Sequence, residues 1–446
     1  MFRPTISDIL VYKLKQRLQH VCDMSNLHGI KHICSSSKIS WPKRIFWLTI
    51  LSACCFGAWS VLRSSLRLLS SDVMSYSVDT NYLDWDTPYP AVTVCEQIDT
   101  NRIMTYLKRN DLPISLSTFF KEVTFWNMKY CRTCTKCDMN KTCVEGFVQD
   151  IKRIRLNCSN LLSDCWWDNQ YFPCCDRFQP VETEYGECFS FNSVLNENTA
   201  LAANKETGTP SLIFTTVDAS MIRIHASDEY ISVDMENILG RTSILPLLAN
   251  LEAILKVEQT VNDASVRSVS TKLRSCLFKN EKPLYVKSWP FKLYTYSACK
   301  LYCKAHTQYN HCNCTHHFLS NLVNLPACDV KGLACLSNKK DEIGKFNCSC
   351  PMGCDETSYK VTHVFYNRSS KAENVVRSSR SVVRFGQLPT MRVRRFAIRD
   401  SLGLVVDIGG VGGVFFGASL LSLIEFVYLF CIRRYDLRQS RMQPTL

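Results

Sequence analysis

Apolar stretches long enough to cross a bilayer occur at two places in this chain, one near each end. The first, Ile45–Leu62 (IFWLTILSACCFGAWSVL), carries no charge, and its 18 residues rise about 27 Å as a helix, close to the ~30 Å of a hydrocarbon core. Trp41, Trp47 and Trp59 suit the membrane–water interface, and Lys43–Arg44 and Arg63 mark the ends. A cleavable signal peptide does not fit, because 44 residues precede the run and its length exceeds the ~7–15 residues of a signal core. The second stretch, Leu402–Ile432, is 31 residues long and carries Asp407 and Glu425.

Charge orients these spans. Residues 1–44 hold eight Lys/Arg against two acids, and residues 433–446 hold four against one, so the tails carry +9 of the formal +13. Short basic flanks stay on the cytoplasmic side. The expected layout is a cytoplasmic tail 1–44, a first span 45–66, an external domain 67–400, a second span 401–432 and a cytoplasmic tail 433–446. This describes a multi-pass plasma-membrane protein with both termini inside. Orientation and anionic lipid headgroups account for the basic balance without nucleic acid.

Cysteine usage agrees with that layout. Of 25 cysteines, Cys22, Cys34, Cys54, Cys55 and Cys431 lie in or near the membrane or in the N-tail, and the other 20 all fall between Cys95 and Cys354. An even number confined to the external segment implies up to ten disulfides. Five glycosylation sequons lie there too, at Asn140, Asn157, Asn313, Asn347 and Asn367. Ten cysteines precede and ten follow an 87-residue stretch without any, whose alternating apolar pattern (Leu212–Val217, Ile222–Ile231) suits an ordinary core. Ser369–Arg384 is Ser/Arg-rich and is expected to be a loop.

In the second block, Cys299/Cys303 and Cys350/Cys354 have i,i+4 spacing, so each pair can face one side of a helix. Cys312/Cys314 and Cys348/Cys350 would point to opposite faces of extended backbone. A helical hairpin would pair them in nested order, but spacing alone leaves the connectivity open. Zinc is the rival for Cys131, Cys134 and Cys137 and for the His311–His317 segment. The oxidising side of the membrane and the even count favour disulfides, so no metal site is expected. His306, His311, His316 and His317 are expected on a solvated loop.

Six of the 16 glycines lie between Gly403 and Gly417, at a cost of about 1 kcal/mol each in helix propensity. Gly409, Gly413 and Gly417 recur every four residues as one bare face, which permits close helix approach. A passive dimerisation seam would use that face. A pore would use it together with the intramembrane acids Asp407 and Glu425 and the small-residue run Gly417-Ala418-Ser419. Glu425, eight residues past Gly417, would lie near the same helical face. One such span cannot enclose a path, so three or more copies would have to surround an axis.

Asp407-Ile408-Gly409-Gly410, Gly413, Gly417-Ala418-Ser419 and Glu425 together resemble the second span of the degenerin/epithelial sodium channel family. Leu27-His28-Gly29-Ile30 resembles that family's cytoplasmic His-Gly motif, and Tyr89–Cys95 (YPAVTVC) its strand after the first span. The order of cysteines from Cys276 to Cys354 resembles its thumb ladder, and the extra cysteines of the first block suggest the insect pickpocket branch. The resemblance implies a two-span α-helical membrane protein with a large disulfide-rich α+β ectodomain of palm, thumb, finger and knuckle elements, the thumb at about 276–354. It implies a homotrimer or a heterotrimer with related subunits, embedded in lipid, passing Na⁺ without a cofactor. It also implies the pairs Cys95–Cys188, Cys276–Cys354, Cys299–Cys350, Cys303–Cys348, Cys312–Cys335 and Cys314–Cys328, leaving the eight cysteines from Cys131 to Cys175 unassigned.

By the same resemblance Gly417, Ala418 and Ser419 form the selectivity filter, Asp407 and Glu425 are pore acids, His28 and Gly29 act in gating, and Gly409, Gly410 and Gly413 pack helices. Two positions depart from the family pattern. Val406 stands where a small residue is usual, which implies a channel that resists closing, and Leu273 stands where acid-sensing members carry a Trp. The implied function is a sodium-preferring, amiloride-sensitive channel subunit, sensory or epithelial. An ATP-gated purinergic channel and a non-conducting two-span scavenger or adhesion receptor are the alternatives. An ectoenzyme has no Gly-x-Ser-x-Gly, His-Glu-x-x-His or P-loop pattern to stand on.

Overall fold

Alternation makes the longest strand. In Ala249–Asn262 the side chains of Ala249, Leu251, Ala253, Leu255 and Val257 are buried, while Asn250, Lys256 and Glu258 face water. The computed structural model describes residues 29, 32–33, 40–70, 74–126, 130–138, 141–195, 200–286, 288–345, 348–368, 378–398 and 401–428. Contacts divide the chain into two units, a larger one of Tyr76–Asn262 and Ser275–Arg395 and a smaller one within Met1–Ser75, Asp263–Arg274 and Phe396–Leu446.

In the larger unit, Ala249–Asn262 pairs antiparallel with Glu356–Arg368 along its length. On its other edge it pairs in parallel with Ser379–Phe385 and then with Arg392–Ala397. Ser211–Thr216, Leu162–Trp167 and Gln170–Phe172 extend this sheet. A second, five-stranded antiparallel sheet runs in the order Ile244–Leu245, Ser220–His225, Ala91–Glu96, Gly186–Phe191 and Phe178–Thr183. The two sheets share one core that holds Val92, Val94, Phe191, Leu212, Phe214 and Leu251. Tyr89, fully buried at its centre, donates its hydroxyl proton to the Val383 carbonyl at 2.7 Å.

Of the loop expected at Ser369–Arg384, residues 369–377 lie outside the described residues and the last part is instead the strand Ser379–Phe385. Its burial alternates, with Ser379, Ser381, Val383 and Phe385 inside. Ser379 Oγ donates to Pro246 O at 2.8 Å and accepts from Ala249 N at 3.2 Å, so that serine is buried with its hydroxyl paired. Composition misled because two of the four inward positions are serine.

A second core joins the helices Thr100–Arg109, Ser117–Thr124 and Phe147–Ile154 to Val330–Asn338, through Ile103, Leu107, Phe119, Phe120, Ile151 and Leu333. Ten disulfides stiffen the larger unit. In the first block they are Cys95–Cys188, Cys131–Cys134, Cys137–Cys143, Cys158–Cys175 and Cys165–Cys174. In the second they are Cys276–Cys354, Cys299–Cys350, Cys303–Cys348, Cys312–Cys335 and Cys314–Cys328. Cys299 and Cys303 do share the helix Tyr296–Cys312. Cys350 and Cys354 do not lie on a helix, because Met352–Gly353 pairs as a short strand with Cys276–Leu277, so the ladder joins a helix to extended chain.

The histidines also differ from expectation. His306 and His311 lie on the helix Tyr296–Cys312, His316 caps the helix His317–Val323, and His317 starts it. His316 and His317 are buried, their rings against Trp126 and Phe147, and His317 Nε2 lies 3.0 Å from Val123 O. Aromatic packing, with burial pushing the His317 pKa down to about 3, makes these core residues rather than solvated ones.

In the smaller unit, Trp41–Ser70 is one helix, beginning four residues before the expected span. Within it, Trp41–Arg67 is long and apolar enough to cross a bilayer. The 31-residue C-terminal run is not one helix over its described part. It divides into Ser401–Phe416 and Leu420–Val427. This break corrects the inference that Glu425 shares a helical face with Gly417, since helical phase is not carried across it.

Candidate functional site

The break falls on Gly417, Ala418 and Ser419, and each residue suits its place. Gly417 has φ +61°, a left-handed conformation that closes helices and that a Cβ disfavours. Its N–H bonds Gly413 O at 2.9 Å, and the Ala418 N–H reaches back to Gly412 O at 3.1 Å. Ser419 then caps the next helix. Its Oγ accepts from Ser422 N at 3.1 Å, while Ser422 Oγ accepts from Ser419 N at 3.3 Å.

These bonds have a consequence for the carbonyls. In an unbroken helix the N–H groups of Ala418 and Ser419 would serve Val414 O and Phe415 O. Here they serve Gly412 O and Ser422 Oγ instead. Val414 O and Phe415 O therefore lose the Ala418 and Ser419 N–H donors that a continuous helix would give them. A freed carbonyl is costly in lipid and is tolerated only against protein or a wet path.

Around the break, a Cβ placed on Gly409 or Gly410 would meet nothing within 4 Å, so this face is bare. One placed on Gly413 would lie 3.8 Å from Ala418 O. Asp407 is half-buried one and a half turns before Gly412, Val406 is 64% exposed, and Glu425 is exposed on Leu420–Val427. Gly29 has φ +84° and lies against Trp47, whose ring stacks on His32 with centroids 4.6 Å apart. His28 lies outside the described residues, as do Asn140 and Asn347. Asn157, Asn313 and Asn367 are exposed.

The sequence did hold one overlooked signal. Ser419-x-x-Ser422 has the spacing of a reciprocal cap, which marks a helix start inside an apolar run. Some ion pairs of the larger unit were invisible because their partners are far apart in the chain. Lys304, on the helix Tyr296–Cys312, reaches the buried Glu184 and also Asp234 at 2.9 Å. Glu229 is pushed up to about 7 by burial, and its Oε2 accepts from Ala226 N at 3.2 Å.

A family profile described as "Amiloride-sensitive sodium channel" matches residues 21–429. The chain belongs to that family. Among relatives of this amiloride-sensitive sodium channel family member, the "Sodium channel protein Nach" of Drosophila ananassae is 23% identical over 95% of this chain and 88% of its own length. "Pickpocket protein 19" of Drosophila melanogaster is 22% identical over 94% of this chain and 91% of its own. The human "Bile acid-sensitive ion channel" is 27% identical over 91% and 84%. The family member thus resembles insect and vertebrate relatives along nearly its whole length.

Proposed function

We propose that the chain is one subunit of a sodium-preferring, amiloride-sensitive cation channel in a sensory or epithelial plasma membrane. Three copies, or this chain with related subunits, surround an axis; each has both termini in the cytoplasm and crosses the membrane at 45–66 and 401–432. The observation that carries the reading is the helix break at Gly417–Ser419 in a member of this family.

The mechanism is passive. The bare face at Gly409, Gly410 and Gly413 lets helices from different subunits approach closely. Asp407 concentrates cations at the mouth. At Gly417, Ala418 and Ser419, backbone carbonyls replace part of the ion's hydration shell, and the spacing of those oxygens favours Na⁺. Glu425 holds the ion beyond the belt. His28 and Gly29 act on gating from the cytoplasmic side. The palm, thumb and finger elements of the ectodomain receive the stimulus, with the cysteine ladder keeping the thumb (about 276–354) stiff.

Expression in oocytes, alone and with related subunits, tests this directly. A current carried by Na⁺, lost when a large organic cation replaces it and reduced by amiloride, is expected. Surface-expressed protein without such a current in any combination would refute conduction and favour the adhesion or scavenger alternative.

A further inference from the structure

Phe415, two residues before Gly417, is seated against the N-terminal helix at Gly57. A Cβ built on Gly57 would lie 2.6 Å from Phe415 Cε1, 3.1 Å from Cζ and 3.5 Å from Cδ1, so the ring occupies the space any larger residue would need. The adjoining Ala58 is 8% exposed, while Phe56 and Trp59 on either side are 74% and 60% exposed. The seam between Trp41–Ser70 and Ser401–Phe416 therefore passes through this notch. On the same helix, Gly412 and Gly413 lie under Ala418, with Cβ positions 3.9 Å from its Cβ and 3.8 Å from its carbonyl oxygen.

We infer that the Gly57–Phe415 notch is the positioning contact that sets the height of the Gly417–Ser419 break against the first span, and so takes part in ion preference. The inference rests on the conduction reading above. The physical reason is local. The cap bonds hold the break to its own helix, but they do not fix it along the neighbouring one. A ring seated in a glycine notch does so. An added methyl at Gly57 overpacks the notch and pushes the ring, together with the Phe415 carbonyl, along or away from the first helix. A truncated ring leaves the notch empty and the break free to slide.

The test has two arms. In the first, Na⁺/K⁺ permeability ratios are measured for Gly57→Ala and Phe415→Ala in the full channel, a readout independent of how many copies reach the surface. Each is expected to change the ratio by about threefold or more, and Gly57→Ala with Phe415→Leu, which restores the shared volume, is expected to recover it. Unchanged ratios in both single variants would overturn the inference while leaving conduction standing.

The second arm needs no current. Gly57→Cys and Phe415→Cys are combined in a full-length chain whose Cys22, Cys34, Cys54, Cys55 and Cys431 are changed to Ser, with a protease site inserted between the two helices. A short bis-maleimide bridge should hold the two fragments together after cleavage and reduction. Failure to bridge overturns the contact. A double-cysteine chain that bridges while the wild-type chain never conducts keeps the contact but removes the conduction reading and this inference with it.

Discussion

Arg155 Nε lies 3.1 Å from Glu96 Oε1, and the two side chains are only 8% and 3% exposed. The other carboxylate oxygen accepts from Arg102 Nη1 at 2.6 Å and from Leu156 N at 2.9 Å. Arg155 also donates to the carbonyls of Thr124, Tyr185 and Glu187 at 3.0, 2.8 and 2.8 Å. One guanidinium therefore ties the end of Ala91–Glu96 to the ends of two helices and to the Thr183–Gly186 turn. Replacing Arg155 by Met removes one of the two guanidinium partners of Glu96 and the donor to three carbonyls, at a cost of about 3–5 kcal/mol. The expected result is a lower melting temperature of the purified chain and little mature protein at the surface. The double variant Glu96→Gln/Arg155→Met should regain part of the loss, and a single variant as stable as wild type would contradict the role.

Buried titrating groups predict opposing responses to pH. Burial pushes His225 down to about 4 and His317 down to about 3, below the ordinary 6.5. Between those limits the unfolded chain binds protons that the folded one refuses, so stability is complete above pH 6.5 and lost as pH falls. Glu229 behaves inversely, since burial raises it from 4.5 to about 7. Its buried charge is destabilising above pH 7, and the penalty disappears as pH falls toward 4.5. Glu229→Gln should raise the melting temperature at pH 8, and that gain should vanish near pH 5. An equal gain at both values would show that the carboxyl is not buried as described.

At the break, Gly417→Ala places a Cβ on a residue with φ +61°, which costs about 1–2 kcal/mol. Ser419→Ala removes the cap that Ser422 N donates to, about 1 kcal/mol. Both variants should reach the surface and show a lower Na⁺/K⁺ permeability ratio. Ser419→Thr keeps the hydroxyl and should stay close to wild type. Reversal potentials in sodium and potassium decide the matter.

Removing the Cys303–Cys348 rung with Cys303→Ser opens a bridge spanning 45 residues and costs about 2–5 kcal/mol. Cys299–Cys350 remains beside it, so part of the population should still fold. The expected outcome is reduced surface protein and less evoked current per surface channel. Surface level and current both equal to wild type would remove the ladder from the mechanism.

Val406 is 64% exposed, so Val406→Ala should cost little stability. If its bulk holds the channel open, the substitution lowers the amiloride-blocked resting current at unchanged surface density. A resting current unaffected by the substitution would assign Val406 no part in closing.

Much of this protein was legible from local pattern. Ile45–Leu62 reads as membrane helix because its apolar length exceeds what a soluble helix exposes, and Leu212–Val217 reads as strand because its burial has period two. Ser379 escaped, because the partners that satisfy its buried hydroxyl come from elsewhere: Pro246 and Ala249 lie more than 100 residues before it. His316 and His317 escaped for the same reason, since Trp126 and Val123 that enclose them belong to a distant segment.

What the amino-acid order determined alone is what depends on neighbours along the chain: which stretches suit lipid, where basic charge gathers in the two tails, and that the segment between them carries an even number of cysteines. Glycine and serine chemistry at Gly417 and Ser419 likewise acts within a single turn. Tertiary structure decided how the eight cysteines from Cys131 to Cys175 pair, which carboxylate Arg155 answers, and that Phe415 finds Gly57 across 358 residues of chain. Such contacts depend on distances in space after folding, and no spacing in the sequence encodes them.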